Sequence, residues 1–465
     1  MDANIQTRRR PEAALGFDAA IERLRVSLRG EVLLPEAEGY GAARRVWNGL
    51  VDKRPAAILF CTTRDDVVEA VNVARASGLT IAVRGGGHSI AGASVCDGGL
   101  VIDLSRMKAV EVDPRRHTAR AEPGLTLGEF DAATQAHGLA TTMGINSDTG
   151  IAGLTLGGGL GRLARKHGLA CDNLLAAEMV LADGRIVTAS SAENPDLFWA
   201  IRGGGGNFGI ATAFTYRLHP LGPQILGGLL LHDFARAREV IRFYRDFTGV
   251  APDEVSADAV FLTTPEGQRL LAISACYVGS VEEGARALRP LRQFGSPLQD
   301  LIVPTAYTAL QASADPLFAR GRRYYWKAQF LRQISDAAID AFVSGYESAT
   351  SPLSLAVLQQ VGGAISQVGG DATAYGNRDA AYDCFPVAVW ETPSEDAHHI
   401  AWARAFWEAM RPFATCGVYA NNLGEEGEER VRAAYGANYT RLAALKAKYD
   451  PENLFRLNQN IKPAG

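Results

Sequence analysis

The first candidate for chemistry is a histidine inside a run of glycines. Residues 81–92 read Ile-Ala-Val-Arg-Gly-Gly-Gly-His-Ser-Ile-Ala-Gly, so that Gly85, Gly86 and Gly87 directly follow a predicted strand and precede His88. Glycines tolerate positive φ and allow successive backbone N–H groups to converge on one point, an arrangement that binds phosphates. A lone histidine is more often a packed or surface residue, but this one lies where backbone and ligand would meet. The loop therefore predicts a phosphate-binding site with His88 beside it.

Ser89 offers a competing chemistry. The sequence Gly87-His88-Ser89-Ile90-Ala91 resembles the nucleophile elbow of serine hydrolases, which places its serine on a tight turn between a strand and a helix. Here Gly92 and then Cys96-Asp97-Gly98-Gly99 follow, and such a sequence does not favour a helix. A serine hydrolase at Ser89 is kept as a remote alternative.

Two further glycine clusters occupy residues 150–161 and 203–209. The second satisfies the dinucleotide pattern GxGxxG, but that motif must open a helix, whereas residues 210–218 alternate like a strand. The match is therefore taken as accidental. Any single cluster can be a set of turns and nothing more, but three clusters in this stretch favour a ligand site.

The elements around these loops predict a mixed α+β fold. Residues 56–83 read strand, helix, strand, with Thr63 and Asp66 as a capping pair and Gly78 as the stop. Thr126 and Glu129 begin a second helix that Gly138 is expected to end. Short strands are predicted over residues 100–104, 110–112 and 118–121.

The hydrophobic pattern of the sequence changes after Pro223. Longer runs with strand-like alternation are predicted over residues 257–263, 270–277 and 324–331, and helical patterns over residues 235–247, 281–293 and 337–347. This pattern predicts an antiparallel sheet flanked by helices. The tail from Tyr419 is expected to carry one helix, followed by Asn458-Gln459-Asn460.

Composition excludes several classes of protein. The 465 residues are 47% hydrophobic with a net charge of -4, which gives no electrostatic reason to expect nucleic acid or an anionic membrane as partner. No window approaches the roughly 18 to 20 apolar residues that cross a bilayer. Six scattered cysteines without a CxxC pair indicate neither a metal site nor a disulfide framework. Arg8-Arg9-Arg10 could pass for a twin-arginine signal, but Pro11 and Glu12 interrupt it, so a cytoplasmic protein is expected.

Four ordered motifs together resemble one known family. The motifs are Arg84–Ser89, Gly150-Ile-Ala-Gly-Leu-Thr-Leu-Gly-Gly-Gly-Leu-Gly161, Leu197-Phe-Trp-Ala-Ile-Arg-Gly-Gly-Gly-Gly-Asn-Phe-Gly209 and Tyr449-Asp-Pro-Glu-Asn-Leu-Phe-Arg-Leu-Asn-Gln-Asn460. They are similar to those of the berberine-bridge-enzyme-like oxidases, members of the vanillyl-alcohol-oxidase superfamily with a p-cresol-methylhydroxylase-type FAD-binding domain. The resemblance runs from about residue 55 to residue 463.

The resemblance implies two domains and a set of cofactor contacts. Residues 1–222, completed by residues 419–465, would bind FAD, and residues 223–418 would form the substrate domain, whose sheet covers the flavin. His88 would be bonded to the 8α carbon of the flavin. The remaining implied cofactor contacts are Arg84, Gly85, Gly86, Gly87, Ser89 and Gly92 around the pyrophosphate, Thr149, Gly150, Gly153 and Gly159 along the cofactor, Ile210 at the ring system through its backbone, and Asn458 from the C-terminal segment.

Three further implications concern reactivity. Many relatives carry a cysteine that makes a second bond to the flavin, and Asn146 occupies that position here, so attachment through His88 only is expected. Thr149 occupies the family's oxygen-gating position. Tyr419-Ala420-Asn421-Asn422 resembles the family segment Tyr-x-Asn-Tyr, one tyrosine of which serves as base in several relatives, and Asn422 replaces the second tyrosine here. Tyr419 is therefore either the base, a role that requires a lowered pKa, or a structural residue, and Tyr375 is the reserve candidate for the base.

The implied function is an FAD-dependent oxidase. Hydride from a small alcohol, sugar, amine or secondary metabolite would pass to the flavin, and O₂ would reoxidise it to give H₂O₂. The alternative within flavin chemistry is a monooxygenase or oxidative cyclase of secondary metabolism, and a non-catalytic flavin-binding protein is a third possibility. Six residues are candidates for a substrate pocket, although such residues are more often core: Tyr307, Gln311, Tyr324, Trp326, Gln360 and Tyr375.

Overall fold

The computed structural model describes residues 16–465, so Arg8-Arg9-Arg10 lies outside the described residues. The first half of the described chain contains eleven strands in three sheets. These strands are β1 (Glu31–Leu33), β2 (Ala57–Phe60), β3 (Ile81–Arg84), β4 (Leu100–Asp103), β5 (Val110–Asp113), β6 (Thr118–Ala121), β7 (Leu139–Ala140), β8 (Leu174–Val180), β9 (Ile186–Ser190), β10 (Ile210–Arg217) and β11 (His219–Pro220).

The first two sheets differ in the direction of their strands. Strands β2, β4 and β3 pair in parallel, with β1 added antiparallel at the edge beside β2. The second sheet is antiparallel in the order β5-β6-β10-β8-β9, and β7 pairs with β11. The predicted strand after the third glycine cluster is β10, which confirms that GxGxxG opens no dinucleotide-binding helix here.

Residues 225–390 contain one nine-stranded antiparallel sheet. Its main order is β15-β12-β14-β13-β19-β20-β17, and in addition β16 pairs with β12 and β18 with β20. Its strands are β12 (Ile225–Asp233), β13 (Val255–Thr263), β14 (Arg269–Tyr277), β15 (Gln299–Asp300), β16 (Val303–Thr305), β17 (Arg323–Trp326), β18 (Gln329–Leu331), β19 (Leu355–Gln360) and β20 (Tyr382–Trp390).

Sixteen α-helices cover these sheets in residues 16–465: α1 (Phe17–Ser27), α2 (Tyr40–Ala43), α3 (Arg64–Ser77), α4 (Leu127–Gln135), α5 (Ile151–Leu156), α6 (Ala164–His167), α7 (Pro195–Ile201), α8 (Ala237–Thr248), α9 (Val281–Ala287), α10 (Arg289–Gln293), α11 (Tyr307–Ala312), α12 (Asp336–Glu347), α13 (Ala364–Gln367), α14 (Asp396–Met410), α15 (Glu428–Tyr435) and α16 (Tyr439–Tyr449). Thr63 and Thr126 form the predicted capping boxes of α3 and α4.

Several predicted boundaries are wrong in detail. Helix α4 ends at Gln135, before Gly138, which instead takes φ +66° in the turn that follows. The runs over residues 324–331 and 281–293 are each divided into two elements, and the tail has two helices rather than one. Strands β12, β19 and β20 were not predicted. All nine residues of β20 are buried, and a strand buried on both faces lacks the alternation that identifies a strand in sequence.

The two faces of the nine-stranded sheet pack against different layers. Cys384 and Trp390 of β20 belong to the core that the sheet shares with α8, α12 and α14, whereas Phe385 and Val387 face the first half of the chain. Adjacent strand residues point to opposite faces, so odd-numbered residues of β20 face inward. The division into an FAD-binding and a substrate-binding domain stays a prediction.

Candidate active site

A cavity of about 350 Å³ opens between the glycine loops and the inward face of the nine-stranded sheet. Eleven of the predicted site residues line it: Gly85, Gly86, Gly87, His88, Ser89, Thr149, Gly150, Gly153, Ile210, Tyr419 and Asn458. The volume lies within the range of small-molecule sites. Tertiary folding therefore brings together the loop after β3, the segment before α5, the start of β10 and the C-terminal segment.

Glycine is required where two of these loops meet. A Cβ on Gly86 would lie 2.4 Å from the backbone nitrogen of Gly150, and a Cβ on Gly150 would lie 2.3 Å from that of Gly86. Gly87 takes φ +70°, which favours glycine. The wall of the cavity is therefore bare backbone over much of its length, which suits close approach by a dinucleotide.

The C-terminal segment is fastened to the third glycine cluster. The fully buried ammonium of Lys446 donates to the backbone oxygens of Asn207 and Phe455, at 2.7 and 2.9 Å, and to the Asp450 carboxylate. Beside this anchor the Oδ1 atom of Asn458 is buried, and no residue in the described chain hydrogen-bonds to it. An unpartnered buried oxygen in a glycine-walled cavity fits a polar cofactor, so the residues present fit FAD.

His88 lies at the mouth of the first glycine loop with its ring stacked on Trp47, at 4.1 Å between ring centroids and 20° between planes. Its Nε2 atom is 3.2 Å from Oδ1 of Asp148 and 3.4 Å from the amide nitrogen of Asn146. The other Asp148 oxygen pairs with Arg320 at 3.0 Å. Burial alone would raise the pKa of Asp148, but His88 and Arg320 together hold it below its ordinary value.

Ser89 does not lie on a nucleophile elbow. Its Oγ accepts a bond of 3.3 Å from the Ala93 backbone nitrogen, and in the described structure the chain from residue 89 to residue 99 forms turns without a helix. The serine-hydrolase alternative therefore lacks the helix that its chemistry requires.

Four predicted site residues stand behind the cavity wall rather than in it. Arg84 is buried and donates to the backbone oxygens of Ala43 and Ser94. Gly92 packs against the Val51 side chain, where a Cβ would lie within 2.6 Å. Gly159 donates its N–H to Tyr419 Oη, and Tyr375 packs edge-on against the Tyr419 ring. Any contact of these four with a cofactor stays a prediction.

Tyr419 reaches the cavity but does not have the lowered pKa that the role of base requires. Burial raises the pKa of its phenol to about 12, although Oη accepts hydrogen bonds of 2.8 Å from Gly159 N and from Asn421 Nδ2. The loss of hydration outweighs the two donors because the charged form is the one that burial disfavours. Burial also raises the pKa of Tyr375 well above its ordinary value.

A carboxyl group that the sequence analysis missed lies behind the wall that the nine-stranded sheet contributes to the cavity. Asp383 is fully buried on β20, and its Oδ2 accepts a 2.7 Å bond from Nδ2 of Asn422. Oδ1 has no hydrogen-bond partner in residues 16–465. Burial raises the pKa of Asp383 to about 7. The hydrogen bond from Asn422 and the positive charge of Arg430 lower the pKa, but by less than burial raises it.

The strand places Asp383 on the inward face. Phe385, two residues along β20, lines the cavity, as do Asn422 and Gln359, the latter opposite Asp383 in the register of β19 and β20. An acidic residue within a continuous apolar run is the one sequence signal that would have drawn attention to Asp383.

The wall of the cavity opposite the glycine loops carries aromatic rings and amide groups but, among the described residues, no charged side chain. The ring centroids of Trp326 and Phe385 are 6.3 Å apart, and Gln359, Asn421 and Asn422 contribute the amide groups. Of the six candidate pocket residues only Trp326 lines the cavity. The others serve the core: for example, Gln360 bonds to Ala257 N and Thr248 O.

No cysteine lines the cavity, although all six lie in the described part of the chain and none forms a disulfide. Asn146 instead stands at the His88 ring. Within residues 16–465, no helix has the length and apolar character needed to span a membrane.

Comparison with known proteins identifies the family. A family model described as an FAD binding domain matches residues 55–190, and one described as berberine and berberine like matches residues 418–462. An FAD-linked oxidoreductase of Dictyostelium discoideum is 32% identical over 442 residues, covering 94% of this chain and 95% of that protein.

Two solved structures share the architecture. The crystal structure of 6-hydroxy-D-nicotine oxidase from Arthrobacter nicotinovorans matches with a TM-score of 0.87 at 28% identity, covering 94% of this chain and 99% of that one. A chitooligosaccharide oxidase matches with a TM-score of 0.84 at 26% identity, covering 96% of this chain and 100% of that one. With the glycine-walled cavity between an FAD-binding region and an antiparallel sheet, these similarities show that the chain belongs to the berberine-bridge-enzyme-like FAD-linked oxidoreductases, with an α+β fold of the p-cresol-methylhydroxylase type.

Proposed function

We propose that this protein is an oxidase that takes hydride from an uncharged small organic substrate, with O₂ as the final acceptor and H₂O₂ as product. The observation that carries the proposal is that His88, the glycine loops and the aromatic face of the large sheet line the same cavity. FAD, when bound, supplies the hydride acceptor.

His88 is proposed to hold the flavin covalently and alone. Support comes from its place at the end of the glycine loop and from Asn146 at the neighbouring position, which has no thiol. The glycine loops would bind the pyrophosphate through backbone N–H groups, and Asn458 would bind the cofactor from the C-terminal segment.

Asp383 lies directly behind Asn422 and Gln359 of the cavity lining, and it is proposed as the acceptor of the substrate O–H or N–H proton. A carboxyl group with a pKa of about 7 is partly ionised at neutral pH, whereas a phenol with a pKa of about 12 is protonated and a poor base. Tyr419 and Tyr375 are then proposed to shape the site: Tyr419 holds Gly159 and Asn421, and Tyr375 packs on Tyr419.

The cavity lining supports a neutral substrate. Within the described chain, no Asp, Glu, Lys or Arg lines the cavity, so a charged group would be desolvated there without an ion partner. Trp326 and Phe385 offer faces to an aromatic ring or to the apolar side of a sugar, and the amides of Gln359 and Asn422 offer hydrogen bonds to hydroxyl groups. A cytoplasmic location is proposed because none of the six cysteines forms a disulfide.

The test is a screen of sugars, alcohols, neutral amines and phenolic metabolites against the purified yellow protein. H₂O₂ release in air and flavin bleaching under nitrogen are expected from the same compounds. Oxygen from ¹⁸O₂ in the product would assign a monooxygenase instead, and bleaching without H₂O₂ would refute O₂ as acceptor. Acid precipitation is expected to leave the yellow colour in the protein pellet, and colour wholly in the supernatant would refute the covalent bond.

A further inference from the structure

A carboxylate and a guanidinium form an ion-pair chain that begins at the His88 ring. Asp148 Oδ1 lies 3.2 Å from His88 Nε2, at ion-pair distance but without the alignment of a full hydrogen bond, since no residue of the described chain hydrogen-bonds to this oxygen. Asp148 Oδ2 lies 3.0 Å from Nε of Arg320, whose Nη2 also donates to the backbone oxygen of Gly86 at 2.8 Å.

This arrangement restricts the histidine ring. Trp47 stacks on one face of the ring, and Trp47 itself is stacked on Tyr324 at 4.0 Å. The Trp47 backbone nitrogen donates to the Gly87 backbone oxygen at 3.0 Å, which ties the ring support to the glycine loop. The side chain of His88 is only 14% exposed, so a positive charge on the ring would be poorly hydrated and would depend on Asp148.

We propose that Asp148, held by Arg320, promotes formation of the covalent bond between His88 and the flavin. This inference rests on the proposed attachment at His88. Nε2 is the nitrogen that faces Asp148 and Asn146, which leaves Nδ1 to form the bond to the 8α carbon. Asp148 would act as a positioning residue that orients the ring and stabilises the cation formed on it, as carboxylates beside histidines do in catalytic triads.

The reaction balances with O₂ as oxidant. One C–H bond of the 8α methyl group breaks and its hydrogen leaves as a proton, while a bond forms between that carbon and Nδ1. The ring then carries a positive charge until Nε2 loses its proton, which Asp148 can accept. The two electrons reduce the flavin and pass to O₂, which takes up two protons and becomes H₂O₂.

The Asn146 amide nitrogen, 3.4 Å from the same Nε2, makes the weaker contact. A donor at that position favours an unprotonated Nε2, whereas the Asp148 carboxylate favours a protonated one. The charged partner is closer and is held in place by Arg320, so it has the larger effect on the ring.

The experiment follows covalent incorporation in protein made without flavin and then mixed with saturating FAD in air. Flavin that remains on the protein after denaturation is measured over time by fluorescence on a gel and by mass. Asp148→Asn keeps the shape and removes the charge, and we expect its rate of incorporation to fall about tenfold or more. Reversible FAD binding, measured separately by flavin fluorescence, is expected to change little.

A neighbouring carboxylate provides the matched control. Asp315 accepts a 2.8 Å bond from Ser147 N in the same loop, but it pairs with Ser147 and not with His88. Asp315→Asn is therefore expected to incorporate FAD at close to the wild-type rate. Asp148→Glu, which keeps the charge, is expected to retain more of the rate than Asp148→Asn.

The outcomes separate this inference from the proposal on which it rests. If the wild-type protein binds FAD only reversibly, covalent attachment itself is refuted. If the wild-type protein forms the bond and Asp148→Asn forms it equally fast, the role of Asp148 is refuted. Should Asp148→Asn not fold, Arg320→Met loosens the same carboxylate and is expected to slow incorporation, and an unchanged rate in that variant would refute the role.

Discussion

Replacing Asp383 by asparagine tests the proton acceptor while keeping the size of the side chain. The substitution leaves an amide that still contacts Asn422 but cannot take a proton at neutral pH. Removing a positioned base typically slows a reaction by about 10² to 10⁴-fold. We therefore expect anaerobic flavin reduction by substrate to slow at least 100-fold in Asp383→Asn.

The pH dependence of flavin reduction provides a second quantitative test of Asp383. In the wild-type protein the reduction rate is expected to fall about tenfold per pH unit below a pH of about 7, because the carboxyl must be ionised to accept a proton. The Asp383→Asn variant should lose this dependence. Stopped-flow measurement of flavin bleaching between pH 5 and 9 provides both results.

The same pKa shift predicts an effect on stability. Raising a carboxyl pKa from its unfolded value of about 3.9 to about 7 means that ionisation in the folded protein costs on the order of 4 kcal/mol. The folded state then binds more protons than the unfolded state between these values, so the contribution of Asp383 to stability falls as pH rises through that range. The difference in unfolding free energy between the variant and the wild type should therefore shift in favour of Asp383→Asn as pH rises from 4 to 7.

Asp131 is a matched control for both measurements. It is also fully buried, burial raises its pKa to about 7, and one oxygen accepts from Gln311 Nε2 at 3.3 Å. Gln311 does not line the cavity, whereas Asn422, the corresponding partner of Asp383, does. Asp131→Asn should show a similar pH-dependent shift in stability with little change in flavin reduction. If Asp383→Asn reduces the flavin within tenfold of the wild type and keeps its pH profile, the reasoning is refuted.

Three further variants and one measurement on the unchanged protein test the rest of the site. Thr149→Leu fills space in the cavity, so reoxidation of the flavin by O₂ should slow while anaerobic reduction by substrate stays nearly intact. Equal loss of both rates would indicate that Thr149 only packs against the cofactor loop. Digestion and mass analysis should find flavin on the His88 peptide alone, because Asn146 has no thiol; flavin on any cysteine peptide would contradict this. His88→Ala should fold and bind FAD reversibly, released by acid, since the phosphate contacts are backbone. Tyr419→Phe leaves the buried Gly159 N–H without its acceptor, at a cost of about 1 to 3 kcal/mol, whereas Asn421 keeps its bond to the Leu154 oxygen. Stability should therefore fall, and a 100-fold loss of flavin reduction would instead restore Tyr419 as the base.

The sequence by itself predicted the parts of this protein whose structure is local. Capping residues such as Thr63 and Thr126 specify where helices begin because they satisfy N–H groups within one turn. The three glycine clusters predicted a ligand site, and two of them meet at Gly86 and Gly150 in the cavity wall, where a Cβ on either residue would clash with backbone of the other. The ordered motifs predicted the family, since loops that must accept one cofactor restrict both residue type and spacing.

Only the tertiary structure decided which side chains share one environment. Asp383 is far in sequence from Asn422 and from Gln359, and its raised pKa arises from burial by strands whose apolar runs carry no alternation. Asp148 is likewise ordinary in sequence until folding places it against His88 and Arg320. Desolvation and ion pairing depend on the groups within a few ångströms, and residues distant along the chain supply most of those neighbours. The proposed proton acceptor Asp383 and the ion-pair partner of His88 therefore could not be recognised from sequence alone.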